Sequence, residues 1–382
     1  MKQANLPTVV VFLAIIVLPL AANLAGRDGA DAAAENRELA AFPRLERSWR
    51  AAAAFGPDLS AWFEDHFGFR SRLVRWYGET RLFVLGVSPS AAVARGRDGW
   101  FFYADDKAIE DYANDPPMTP DAIGNWTRAL ANARDWLKAR GIAYVFTVAP
   151  DKHVVYGENM PPTIARVAPV SRTDQLLVAA GDAGIAAVDL RPALFTARRD
   201  ERIYQKTDTH WNDRGALVAY QQLIAAVRAQ APAVPPAWTR DDFTPVVRMI
   251  PGMDLAGMMG LTRALEEIDL PLVPKRPRRA RVVEPAGAEP TAEEGRLVTE
   301  IAGSTLPRAL IIRDSFTSRL VPFLSEHFSR AVYLWQNDFL PQDVVREKPD
   351  VVIQEIVGRH LYSFVPSPEL VERAGLDGGS RP

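Results

Sequence analysis

The stretch ALIIRDSFTSRL, residues 309–320, sets an apolar run of strand length directly against Arg313-Asp314-Ser315 and then a helix-like segment. A continuous β-branched run suits a strand buried on both faces. The spacing of Leu320, Phe323, Leu324 and Phe328 that follows completes a strand–turn–helix unit. The theme recurs along the chain. An amphipathic helix over 120–141 carries Ile123, Trp126, Leu130, Ala133 and Leu137 on one face and ends at Gly141. It leads into the apolar run AYVFTVAP (143–150), and AGIAAVDL (183–190), AVYLW (331–335) and DVVIQEIV (350–357) are further strands. This alternation predicts an α/β fold with a mainly parallel sheet flanked by helices. Ligands of such sheets lie outside the carboxyl ends of the strands, and Ser315 falls at that edge.

Composition narrows the function classes. The chain has 382 residues, 48% hydrophobic and 24% charged, with a formal net charge of −2, so no general basic field invites nucleic acid. The absence of cysteine excludes disulfides, cysteine-based zinc sites, iron–sulfur clusters and a thiol nucleophile. Residues Leu6 to Ala25 carry no charge and are mostly Val, Leu, Ile and Ala. Their length approaches the ~20 residues of a membrane-spanning helix, and the lone Lys2 ahead of them suits an N-in orientation. A retained signal anchor is preferred to a cleaved signal peptide or a core helix, and it puts the bulk of the chain outside the cytoplasm.

The expected organisation is therefore a signal anchor or transmembrane helix over 1–26, a juxtamembrane spacer over 27–47, one α/β domain over 48–365 and a flexible tail over 366–382. GRDGWFFY (96–103) reads as a turn into a strand. PKRPRRARVVEPAGAEPTAEEG (274–295) is Pro-rich, basic first and acidic after, and reads as an exposed loop; polyanion binding is its sharper alternative.

The chemistry turns on TDTHWNDRGA (207–216), which places Asp208 and His210 just before a helix that Asn212 or Asp213 can cap. A metal site would need a second short-range pair, and Asp151 with His153 could supply one, but no HExxH-like helical pair exists. A nucleophile fits more economically. Serine needs a base and the base needs an orienting acceptor, and Ser315, His210 and Asp208 offer the three roles. On spacing alone the alternative stays open: Ser315 as a helix cap and Asp-x-His as a turn that ties down a loop.

DTHWNDRGA followed by RDSF, with VAPDKHVVYGENMP upstream, resembles the SGNH-hydrolase-like O-acetyltransferases of the AlgJ/AlgX type, which acetylate bacterial exopolysaccharides such as alginate. The likeness runs over roughly residues 50–365. It implies Ser315 as nucleophile, His210 as general base and Asp208 as its orienter, in the chain order Asp, His, Ser, which looks like a circular permutation of the ordinary SGNH sheet. Arg313 stands where many SGNH enzymes carry glycine. The resemblance further implies a periplasm-facing enzyme held in the inner membrane, a polysaccharide acceptor, a membrane-bound O-acyltransferase as acetyl-donor partner, and no metal or soluble cofactor. Lys152, Trp211 and Arg313 are candidate contacts to the sugar or polyanion, against the equally available readings of packing for Trp211 and solvated charge for Lys152. A carbohydrate acetylesterase and a non-catalytic polysaccharide-binding assembly subunit remain the alternatives.

Overall fold

The computed structural model describes residues 6–24, 39–44, 48–285, 295–369 and 371. Most of the expected spacer over 27–47, the acidic half of the 274–295 segment and the tail beyond residue 371 lie outside them. The chain divides into two compact units, one of residues 1–93 with 251–266 and one of residues 94–250 with 267–382.

The larger unit is built on a seven-stranded sheet. Its strands are β1 (Ala143–Ala149), β2 (Ala187–Asp189), β3 (Arg281–Glu284), β4 (Arg296–Glu300), β5 (Arg308–Arg313), β6 (Arg330–Trp335) and β7 (Val351–Val357). The spatial order is β2-β1-β7-β5-β6-β4-β3. The first five are mutually parallel, whereas β4 runs antiparallel to β6 and β3 antiparallel to β4. Side chains alternate between two core clusters along each central strand, as the two-residue strand period demands. Tyr144, Phe146 and Val148 of β1 share one face with Leu310 and Ile312 of β5 and Val352 and Ile356 of β7. Val145, Ile311 and Ile353 pack on the other.

Helices cover both faces. The helix Pro120–Lys138 buries Trp126, Leu130, Ala133 and Leu137 on the first face, joined by Leu176 and Ala180 of the helix Arg172–Asp182. The helix Asp213–Gln230 buries Leu217, Tyr220, Leu223, Ile224 and Val227 on the second. Full burial of each such side chain contributes about 1.5–3 kcal/mol, so the sheet is held from both sides and its polar loops are pushed to the strand ends.

The sheet differs from expectation at its antiparallel edge. Residues 274–295 are not one open loop, because Arg281–Glu284 form the edge strand β3. Arg281, Val283 and Glu284 are exposed and only Val282 is part-buried, as an edge strand tolerates, so the charge that suggested a loop fits a strand at the sheet's edge.

In the smaller unit, Leu6–Leu24 form a 19-residue helix with Pro19 inside it. Among the described residues no helix is long and apolar enough to cross a membrane. Leu6–Leu24 comes nearest: at 1.5 Å per residue it reaches about 28 Å against ~30 Å of hydrocarbon. The same unit holds the helices Trp49–Asp65 and Arg70–Glu79, the latter running on into a π-helical turn, Thr80–Val84.

The helix Asp213–Gln230 begins where a small residue is required. Asn212 caps it, accepting from the Arg214 and Gly215 amides at 3.0 and 3.1 Å, while a Cβ on Gly215 would sit 2.3 Å from the Ile203 carbonyl oxygen. Gly215→Ala is therefore expected to destabilise the protein by roughly 1–3 kcal/mol through overpacking against backbone. Urea unfolding of the two proteins measures it.

Candidate active site

Two loops meet at the carboxyl edge of the sheet. The first, residues 203–212, closes through an antiparallel bridge between Tyr204 and Trp211 and a hydrogen bond from the Asn212 amide to the Ile203 carbonyl at 3.0 Å. Tyr204 donates its hydroxyl to the Pro150 carbonyl just past β1, at 2.6 Å. Buried Glu267 accepts from the Thr207 amide at 2.9 Å. The loop thus rests on fixed partners rather than on its own propensity.

The second loop leaves β5. Asp314 caps a 3₁₀ turn over Ser315–Arg319, accepting from the Phe316 amide at 3.0 Å, and its other oxygen accepts from the Val357 amide at the end of β7 at 2.7 Å. Asp314 is the cap, not Ser315, and the turn is 3₁₀ rather than the α-helix expected. Because the Phe316 N–H is spent on Asp314, it is not a donor for substrate. Ser315 is left partly exposed.

The geometry brings Asp208, His210 and Ser315 into one hydrogen-bonded chain. His210 Nε2 lies 2.9 Å from Ser315 Oγ, and its Nδ1 lies 2.8 Å from Asp208 Oδ1. The His210 amide donates to the same Asp208 oxygen at 3.0 Å. With Asp208 as acceptor, Nδ1 carries the proton and Nε2 is free to accept from the serine hydroxyl. Burial works to raise the Asp208 carboxyl, but the His210 hydrogen bond and charge, and then the Arg319 guanidinium, hold it well below the usual carboxylate range. Arg319 donates to Asp208 Oδ2 at 3.2 Å and reaches Asp213 at 3.4 Å. Sequence reasoning passed over Arg319; its place four residues after Ser315, one turn on, was the available signal.

The three candidate substrate contacts are placed elsewhere. Trp211 is fully buried, donates its indole N–H to the Phe316 carbonyl at 3.1 Å and packs edge-on against the Phe316 ring. Arg313 is fully buried as well, bonded to Ser318 Oγ at 2.8 Å and lying over the Trp335 ring. Lys152 is buried with its ammonium donating to the carbonyls of Gln205 and Lys206 at 3.0 and 3.1 Å. All three hold the loops together and offer no exposed surface to a polymer. Arg313 ends β5, Lys152 lies just past β1, and Trp211 lies in the loop ahead of the helix Asp213–Gln230.

A second group of charges is paired nearby. Arg359 donates to Asp151 Oδ1 at 2.7 Å and to Asp106 at 3.1 Å. Buried His153 pairs with buried Asp111 at 2.8 Å. Asp111, Asp151 and His153 have ligand atoms within 4.8 Å of one another, yet the Arg359 guanidinium already neutralises Asp151, so this group is better satisfied as an ion-pair network than as a metal site. It is also separate from Asp208 and His210, whose facing atoms are engaged with each other and with Ser315. Glu355, fully buried, is pushed up by burial and then by Asp314 beside it, and it accepts from Thr317 Oγ1 at 2.9 Å.

Residues 93–338 match the family described as "SGNH hydrolase-like domain, acetyltransferase AlgX". The chain belongs to this family. It is similar to "Probable alginate O-acetylase AlgJ" of Pseudomonas syringae pv. tomato, at 31% identity over 37% of this chain and 34% of that one. It is also similar to the protein of the same name from Azotobacter vinelandii, at 27% identity over 61% of each. The chain spans about a third of the length of the Pseudomonas relatives it matches. Among solved structures, Bacillus cereus PatB1 with a sulfonyl adduct superposes with a TM-score of 0.52 at 16% identity, covering 70% of this chain and 95% of that one. That likeness speaks to the SGNH-like α/β fold.

The depressed Asp208 carboxyl has a stability consequence with a definite sign. A group whose folded pKa lies below its unfolded one stabilises above the ordinary value of ~4, and that stabilisation is lost as pH falls below it. Wild type is therefore expected to lose melting temperature on acidification below pH ~4 more steeply than Asp208→Asn. Parallel thermal melts across that range check it.

Proposed function

We propose that the protein is an O-acetyltransferase that carries an acetyl group on Ser315 and passes it to a hydroxyl of a secreted bacterial exopolysaccharide of the alginate kind. The observation that carries this reading is the unbroken chain from Asp208 through His210 to Ser315 Oγ, with contacts of 2.8 and 2.9 Å, at the carboxyl edge of the sheet. Membership of the acetyltransferase family and the alginate O-acetylase names of the relatives support the acetyl group and the polysaccharide acceptor.

In the proposed cycle, Ser315 Oγ attacks the carbonyl carbon of an acetyl donor while His210 Nε2 takes the hydroxyl proton. Asp208 holds the Nδ1 proton and stabilises the imidazolium, and Arg319 keeps Asp208 charged and in place. Collapse of the tetrahedral intermediate expels the donor's leaving group, which receives the proton from His210. A sugar hydroxyl then attacks the acetyl-serine, His210 removes its proton, and Ser315 leaves with that proton restored. We assign an oxyanion contact to the Ser315 amide.

We further propose that the catalytic unit faces the periplasm and is held at the inner membrane by the segment Leu6–Ala25, with a multispanning O-acyltransferase presenting the acetyl group. Supporting this, Leu6, Val9, Val10, Val11, Phe12, Ile15 and Leu18 of the N-terminal helix are all exposed, as a lipid-covered helix requires.

Incubation with an acetyl donor and uronate oligosaccharides, read by mass spectrometry of the sugars, tests the reading. Acetyl groups added to the oligosaccharide support it; acetate release alone points to an esterase, and neither product points to a binding subunit. Ser315→Ala is expected to lower transfer on the order of 10³-fold or more. Its melting temperature should scarcely move, since Asp314 caps the turn.

A further inference from the structure

In the smaller unit, the helix Arg70–Glu79 and the turn Thr80–Val84 have one face committed and one face uncovered. On the committed face Gly78 and Leu82 are buried, with Gly78 against Leu261 and Val74 against Gly260. The uncovered face is apolar. Leu73, Trp76 and Tyr77 fall at helical i, i+3, i+4 spacing, and Phe83, Val84, Leu85 and Val87 extend the row. Trp76 is 67% exposed and Val84 76%. Single exposed apolar side chains need no explanation, but a contiguous row of seven, two of them aromatic amphipaths, marks a surface that is covered in use.

The flanks of this row say by what. Arg70, Arg72, Arg75 and Arg81 border it against a single acid, Glu79. Arg81 donates to the Tyr77 hydroxyl at 3.0 Å and lies over its ring, Arg72 lies over the Phe69 ring, and Arg75 reaches Glu79 at 4.0 Å. Trp and Tyr on an apolar face with arginine alongside is the composition of a helix lying in a bilayer interface, rings at headgroup level and guanidiniums among phosphates. A second copy of this chain fits poorly, since two-fold pairing of the face would set arginines against arginines. The uncharged helix Leu6–Leu24 precedes the row in the chain. We propose that residues 69–87 form a lipid-contacting surface that lies on an anionic phospholipid headgroup layer. The membrane concerned rests on the anchored reading above; the lipid contact itself does not.

The chain has no cysteine, so a single introduced thiol reports unambiguously. Val84→Cys and Leu13→Cys, each in the full chain, are labelled with an environment-sensitive fluorophore and reconstituted with phosphatidylglycerol or phosphatidylcholine vesicles. On the anionic vesicles the residue 84 probe is expected to brighten several-fold and shift to the blue, with a much smaller response on neutral ones and a loss at high salt. Replacing Arg72, Arg75 and Arg81 together by Glu should abolish the response at 84 and leave that at 13 intact. A probe at 84 that does not respond to anionic vesicles, while the probe at 13 does, overturns the surface and spares the anchor. A response at 84 that needs only protein concentration, without lipid, overturns it in favour of a second copy. Silence at 13 alone counts against the anchor and leaves the response at 84 to decide the lipid contact.

Discussion

The Asp314 carboxylate is the constraint on which the active edge depends. One oxygen caps the turn that presents Ser315, and the other holds the Val357 amide at the end of β7. Two parallel strands of the sheet are therefore locked in register where the chemistry sits. A serine hydroxyl on a free loop could not keep a 2.9 Å contact with an imidazole carried more than a hundred residues away. Fixing both loops on strand ends removes that positional freedom before substrate arrives.

The histidine side is anchored just as firmly, though by different means. Tyr204 ties its loop to the end of β1, Lys152 fills the loop with an ammonium facing carbonyl oxygens, and Trp211 joins it to the carbonyl of Phe316. Buried charge here serves position rather than net stability. Paired buried ions seldom gain much over apolar replacements, whereas removing one partner leaves a costly orphan. The Asp151–Arg359–Asp106 and Asp111–His153 pairs follow the same logic.

Much of this was legible in the sequence. The parallel strands announce themselves because a strand covered on both faces is nearly all apolar, as AYVFTV and ALII are. For Asp208, His210 and Ser315, residue type and spacing left a helix cap and a loop-tying turn open, and the family resemblance supplied the three roles. What was not legible has a common cause. Trp211 and Lys152 each satisfy carbonyls brought into the interior by chain segments distant in sequence, and Arg313 is buried against Ser318 and the Trp335 ring, none of which a residue read by itself reveals. Strand β3 hid behind Arg281 and Glu284 because an edge strand can leave most of its side chains in solvent. Asp314 was overlooked as the cap because Asp-Ser places two capping residue types side by side, and only the backbone angles decide between them.

The central claim is that Ser315 becomes an acyl carrier because His210 withdraws its proton. Trapping the intermediate tests it most directly: the protein is mixed with an activated acetyl ester, quenched in acid within a turnover, digested and mapped by mass spectrometry. The account predicts one acetyl group on the peptide holding Ser315 in wild type and none on that peptide in His210→Ala. Acetyl on Ser315 to the same extent in both proteins, or acetyl found only on other residues, would contradict it.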